Sequence, residues 1–247
     1  MPPDMRSRPL IHPLALLTLL PALVALAVPG SLCAQTAFGK PLDELTPEEI
    51  LRLVRTSYTL HDRDFDARLR KDFDFVPFKL SLKPNYLRFR FENPPHAIHL
   101  DTDQEELALR EVLPGKNEPV PPERYGEAVR GTDVTYEDLA MRFLYWANPV
   151  VEAHESIKTR SAWKLRLNNP DDKGPYGHVL VWIDKISGGM IKMEGYSRGT
   201  PSKLIKDFEV SHGKKMDDVW IADVIRVRSF GDAGKEGTTW LEILDLK

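Results

Sequence analysis

From Phe65 onward the chain alternates apolar and polar residues with a period of two. Phe78, Leu80 and Leu82 share one parity, and Lys79, Ser81 and Lys83 the other. After the turn signal Pro84-Asn85, Leu87, Phe89 and Phe91 alternate with Tyr86, Arg88 and Arg90. Period two is that of a strand with one dry and one wet face, so these segments predict an antiparallel pair. Long cations on the wet face mean that it meets solvent and not a second sheet. Residues 96–100 and 106–112 form a weaker pair around Thr102-Asp103. Residues 114–122, with four prolines, read as a loop. Later, Trp163, Leu165 and Leu167 alternate with Lys164 and Arg166, following a strand at 150–158. The stretch 179–184 is apolar at both parities, which predicts a strand covered on both faces. Further strands are expected at 190–196, 204–210, 220–227 and 239–246. Roughly ten short strands joined by turn signals indicate an antiparallel sandwich or barrel, because a sheet of that size curls or splits.

Two segments break the alternation. Thr46-Pro47-Glu48-Glu49 opens a helix, with Thr46 as cap, Pro47 in the first turn and Glu49 completing a capping box. Ile50, Leu53, Val54 and Tyr58 make its apolar stripe. In residues 130–146, Thr135 and Asp138 form a near capping box. Leu139, Phe143 and Trp146 then recur at helical spacing. A helix over 135–146 is predicted to lie across the apolar face of a curved sheet, as a cover or as an ordinary plug of the core.

Residues 1–34 carry the three parts of a secretory signal peptide: Arg6 and Arg8, an apolar run at 14–28, and small residues before a cut after Ala34. The run is short for a permanent membrane span. The single cysteine, Cys33, follows Leu32, which is not the small residue that lipid attachment requires, so a soluble exported protein of the periplasm is expected. Residues 35–247 then form one domain without cysteine, which excludes disulfides and thiol chemistry. Its charge is balanced, with 34 basic and 37 acidic groups over the whole chain, so nucleic acid is not an expected partner. No later apolar run is long enough to span a bilayer, and a monomer is expected.

The residues carry little that looks catalytic. No phosphate loop, dinucleotide fingerprint or nucleophile elbow is present. His96 and His99, three apart on a strand, face opposite ways. Glu152 and His154 share a strand parity, but no third ligand accompanies them. Neither a metal site nor any cofactor is predicted.

The sheet carries a heavy load of large side chains. Phe78, Leu80, Leu82, Leu87, Phe89, Phe91, Trp163, Leu165, Leu167 and Trp182, with Phe143 and Trp146 from the helix, are the candidate lining of an apolar cavity; Trp240 adds to the load. The competing reading is that these side chains fill the space themselves.

A family resemblance bears on that choice. Gly131-Thr132-Asp133-Val134-Thr135-Tyr136-Glu137-Asp138-Leu139 resembles the Gly-Ser/Thr-Asp-Phe-Ser-Tyr-Glu-Asp-Leu motif of LolA-like outer-membrane lipoprotein-sorting proteins, in their less studied branch. Trp163-Lys164-Leu165 before a Pro-containing turn, the strand from Tyr176 to Asp184, Glu194-Gly195-Tyr196, Gly199, Lys203, Trp220 and Thr238-Thr239 follow in the order that branch shows. The chain departs from the pattern at Val134, where the motif has an aromatic. The resemblance implies a mainly β protein: an incomplete antiparallel β-barrel with covering helices and an apolar cavity for lipoprotein or lipid acyl chains. It implies transport for outer-membrane sorting, between an inner-membrane donor and an outer-membrane acceptor, and no catalysis. Within the motif, Gly131, Asp133, Tyr136, Glu137 and Asp138 are expected to act structurally, through capping and a buried phenol hydrogen bond. Two other functions compete with transport: an envelope adaptor with a filled core, and a periplasmic hydrolase using Glu152 and His154.

Overall fold

The computed structural model describes residues 40–59, 62–102, 107–216 and 219–246. The proposed leader lies outside them. Among the described residues, thirteen strands make a single antiparallel sheet. The first six form a meander: β1 (Arg63–Lys71), β2 (Asp74–Lys83), β3 (Tyr86–Phe91), β4 (His96–Asp101), β5 (Ala108–Leu113) and β6 (Lys116–Pro119). The last seven form another: β7 (Val150–Ile157), β8 (Arg160–Asn168), β9 (His178–Asp184), β10 (Met190–Tyr196), β11 (Leu204–Met216), β12 (Val219–Gly231) and β13 (Gly234–Leu246). β1 pairs with β13 and joins the two, leaving β6 and β7 as edges. The sheet is therefore not closed, as the incomplete barrel requires. β6 is a correction, since its residues were expected in a loop; all four are exposed, and prolines are tolerated on such an edge.

Helix α1 (Pro47–Thr59) begins with the expected capping box. The Thr46 N–H donates to Glu49 Oε2 at 2.9 Å, and the Glu49 N–H to Thr46 Oγ1 at 3.3 Å. Ile50, Leu51 and Val54 are buried and Leu53 is partly buried. The side chain of Tyr58 lies outside the described residues.

The helix expected over 135–146 is shorter. Helix α2 spans Tyr136–Ala140, Met141 adopts a left-handed conformation (φ 45°, ψ 39°), and Arg142–Tyr145 continues as a 3-10 turn. The break follows from packing. Tyr136, Leu139 and Ala140 belong to one core with the inward residues of β1–β5, whereas Phe143, Leu144 and Trp146 belong to a second core with α1, β8, β9 and β10. Met141 packs against both cores, as does Phe208 of β11. A straight helix would present one stripe to one core; the left-handed residue redirects the chain to serve two. The sheet thus wraps around the segment that separates its wings.

Candidate functional site

Between the two cores lies a cavity of about 660 Å³, within the roughly 300–1,000 Å³ range usual for ligand sites. Its floor is the middle of the sheet. Ile225 and Val227 of β12, Leu241 and Ile243 of β13, and Phe208 of β11 line it. Phe208, Ile225 and Leu241 are only partly buried, whereas the inward residues of the two wings, such as Phe65, Leu69, Leu165 and Val181, are fully buried. Side chains fill the wings and leave the centre open.

The register gives the sheet two ends. The β1–β2, β3–β4 and β12–β13 turns lie at the first, and the β7–β8, β9–β10 and β11–β12 connections at the second. Apart from Asp138 of α2, the cavity's polar lining, Lys158, Arg160, Ser187, Lys192, Ser211 and His212, belongs to the second end, with Ser57 of α1. That end is its mouth. α1 stands beside it, where a Cβ on Gly188 would come within 3.5 Å of Leu53 Cβ.

The motif secures the first end. The Asp133 carboxylate accepts hydrogen bonds from Ser229 Oγ at 2.7 Å and Thr239 Oγ1 at 2.9 Å, and pairs with Lys71 Nζ at 3.3 Å. Lys206 Nζ donates to the Asp133 backbone carbonyl. One residue thereby ties the 121–135 loop to β1, β11, β12 and β13. The fit is close: a Cβ on Gly237 would lie 2.0 Å from Asp133 Oδ1, so only glycine allows the loop this near the sheet. Burial would raise the Asp133 carboxyl, but its donors and the Lys71 charge hold it below the usual range. Gly131 has φ +70°, a conformation that favours glycine. Val134, the departure from the motif, is buried against the first core and lines the cavity.

The rest of the motif builds α2. Asp138 completes the capping box with Thr135 and accepts the phenol hydrogen of fully buried Tyr176. Burial, then the Asp138 charge and hydrogen bond, push that phenol well above its ordinary value. Tyr136 donates to Glu111 Oε1, and Arg124 Nη1 approaches Glu111 Oε2 at 2.8 Å. The Arg124 bond leads in lowering Glu111 to about 2, against its burial, while burial and Glu111 push Tyr136 up to about 12. Glu137 is 1% exposed and meets Arg142 Nε at 3.1 Å. Its burial outweighs that arginine and raises it to about 7.

The expected lining residues separate into three groups. Leu80, Leu82, Leu87, Phe89 and Phe143 face the cavity. Phe78 and Phe91 lie deeper in the first core, their rings 5.4 Å apart, and Trp146, Trp163, Leu165 and Leu167 lie in the second. Trp182 is on the opposite face of the sheet, where its indole N–H donates to Glu155 Oε2 at 2.7 Å. Strand β9 is covered on both sides, so Val179, Val181 and Ile183 take the inner face and Leu180 and Trp182 the outer. Trp240 is also on the outside, beneath Arg70. The central residues Phe208, Ile221, Ile225, Leu241 and Ile243 were not anticipated, although the alternation of β12 and β13 marks them. Glu152 and His154 part company at a bulge in β7: Glu152 meets Lys164 and Arg166, whereas His154 Nδ1 lies 2.9 Å from Lys185 Nζ. Among the described residues, no group of three His, Cys, Asp or Glu side chains is placed to hold a metal ion.

A family model described as "uncharacterized protein" matches residues 116–247. No curated protein matches. Among solved structures, a domain named for outer membrane lipoprotein sorting from Vibrio parahaemolyticus aligns with a TM-score of 0.64 at 17% identity, covering 82% of this chain and 93% of that one. A LolA superfamily protein from Nitrosomonas europaea aligns at 0.59 and 18%, over 82% and 93% of the two chains. A DUF1329 family protein from Desulfovibrio piger aligns at 0.58 and 11%, over 81% and 91%. At these identities the likeness establishes the LolA-like fold.

Proposed function

We propose that this chain, which belongs to the family of uncharacterized proteins whose model spans residues 116–247 and has the LolA-like fold, is a non-catalytic carrier of acyl chains. The cargo is a lipoprotein or another lipid, and its chains occupy the cavity over β11, β12 and β13. The observation that carries this reading is the open space above partly buried apolar side chains in the middle of a sheet whose wings are filled. It favours a carrier over an adaptor with a filled core. The hydrolase reading has no comparable support, because the bulge in β7 separates Glu152 from His154.

An acyl chain stabilises its bound state by ~0.8 kcal/mol for each methylene removed from water. The same chain must leave again, so an open mouth at one end suits a carrier that passes its load from an inner-membrane donor to an outer-membrane acceptor. The leader at 1–34 would export the protein to the periplasm, with 35–247 as the single working domain. None of the described helices is long and apolar enough to cross a membrane.

The test is mass spectrometry of organic extracts from mature protein purified without detergent from a bacterial periplasm, with an uptake assay using a neutral fluorescent apolar dye. A lipid at near-stoichiometric amount, or dye uptake abolished by Phe89→Asp in a folded variant, is the expected result. A lipid-free protein that also takes up no dye would overturn the reading.

A further inference from the structure

We propose that the cavity mouth is a headgroup subsite built on His212 and Asp223, which selects acyl amphiphiles with an anionic, oxygen-rich head. The inference deepens the carrier reading and rests on it.

In strand β12, Ile221, Ala222, Ile225 and Val227 line the cavity, with Asp223 among them in sequence. Asp223 is the outlier in that row: a carboxylate among aliphatic residues, 7% exposed. Burying such a group is costly unless it is paired, and an apolar chain would have no use for it. Its partner is His212, whose Nδ1 lies 2.7 Å from Asp223 Oδ1. The β11–β12 ladder shifts on both sides of His212, which pairs with Val224, and the second shift leaves Asp223 of β12 out of register beside it. His212 lines the cavity and its side chain is 65% exposed, so Asp223 stands behind it and His212 faces whatever enters. A carboxylate on Nδ1 fixes the ring's orientation. In the imidazolium form it directs Nε2–H away from Asp223 as a charge-assisted donor.

Lys158, Arg160 and Lys192 line the rim as well, but each is paired with a carboxylate, Glu209, Asp184 and Glu194 respectively, and Lys192 Nζ lies 4.3 Å from the centre of the outer-face Trp182 ring. His212 is therefore the donor that an entering molecule meets at the mouth, with aliphatic side chains further in. A chain with a phosphate or carboxylate at its end matches that order; a neutral or cationic head does not.

The experiment is displacement of the neutral dye N-phenyl-1-naphthylamine by two chain-matched ligands, palmitoyl lysophosphatidylglycerol and monopalmitoylglycerol. Wild type is expected to prefer the anionic ligand by about tenfold, the scale of one charge-assisted hydrogen bond. His212→Ala and Asp223→Asn should each reduce the ratio of the two affinities to within about threefold. Inorganic phosphate, which has the charge without the chain, should leave the dye bound. Equal affinity of wild type for the two ligands, with dye binding intact, would overturn the subsite and leave the carrier reading standing. An undiminished preference in both variants would overturn its assignment to this pair, and displacement by phosphate alone would make it a free-anion site. Failure to bind dye or either ligand would overturn the carrier reading and this inference together.

Discussion

Thr239 and Asp133 hold each other twice. The Thr239 hydroxyl donates to Asp133 Oδ2 at 2.9 Å and accepts the Asp133 backbone N–H, also at 2.9 Å. Both residues are buried, and 106 positions separate them in the chain. Thr239→Val keeps the shape and removes both bonds. It leaves a buried N–H and one carboxylate oxygen short of a partner, so it should destabilise the fold by about 2–3 kcal/mol. The denaturant midpoint is expected to fall with unchanged slope, while dye uptake by the folded fraction stays normal. An unaltered midpoint would mean that this anchor is dispensable.

Glu137 gives the fold a pH dependence of definite sign. Burial raises its carboxyl to about 7, above the ordinary glutamate value of 4.5. Between those values the folded protein holds a proton at Glu137 that the unfolded chain releases, so this group's contribution to stability falls as pH rises through this window. His96, His99 and His178, lowered by burial, contribute in the opposite sense and are common to wild type and to Glu137→Gln. A shift of that size corresponds to roughly 3 kcal/mol between the two ends. The stability of Glu137→Gln relative to wild type should therefore be higher at pH 8 than at pH 5. Denaturation of both proteins across pH 4.5–8 checks it. Glu111 works in the opposite sense: held at about 2 by Arg124 first and then Tyr136, it contributes stability above its unfolded value that is lost on acidification. The Glu137 effect is therefore read above pH 4.5, away from that loss.

Tyr176 lies against Gly195 so closely that a Cβ there would come within 2.4 Å of Cε1 of its ring. The ring is fully buried, and its hydroxyl is held by Asp138. It cannot swing aside without breaking that bond and opening the second core. Gly195→Ala should therefore cost more than the usual overpacking penalty of about 1–3 kcal/mol. Tyr176→Phe, which frees no space but leaves Asp138 one donor short, should cost less. Thermal melts of the two variants rank them, and the reverse order would contradict the steric argument.

The parts of this fold legible in the sequence are those fixed by local rules. Alternation located β2, β3 and β8, and the pairs Thr46/Glu49 and Thr135/Asp138 located the two helix starts. What escaped depends on distant neighbours. Nothing in Leu139-Ala140-Met141-Arg142 signals a left-handed residue; Met141 turns because the segment must feed two cores. Trp182 and Val181 look alike as large apolar residues of one strand, and only the cover on both faces of β9 separates them. The bulge that parts Glu152 from His154 has no glycine to announce it. For the cavity, the largest side chains drew attention, yet Trp163 and Phe91 serve to fill the wings. The open floor is made by medium-sized residues, Ile225 and Leu241, whose importance lies in what does not cover them.

That distinction supplies the sharpest test of where cargo sits. Ile225 and Leu241 face open space, so a larger side chain at either has room to extend without displacing the core. Ile225→Trp should leave the melting temperature within a few degrees of wild type, because the added ring covers apolar surface that water otherwise touches. It should also reduce dye and lipid uptake at least about tenfold by occupying the space an acyl chain would take. Leu165→Ala removes a fully buried side chain from the second core and should do the opposite. It costs about 2–5 kcal/mol of stability and leaves uptake by the folded protein unchanged. Melting curves and dye titrations on both variants separate the cavity from the core that supports it. If Ile225→Trp bound dye as well as wild type does, the acyl chain would have to lie elsewhere on the protein.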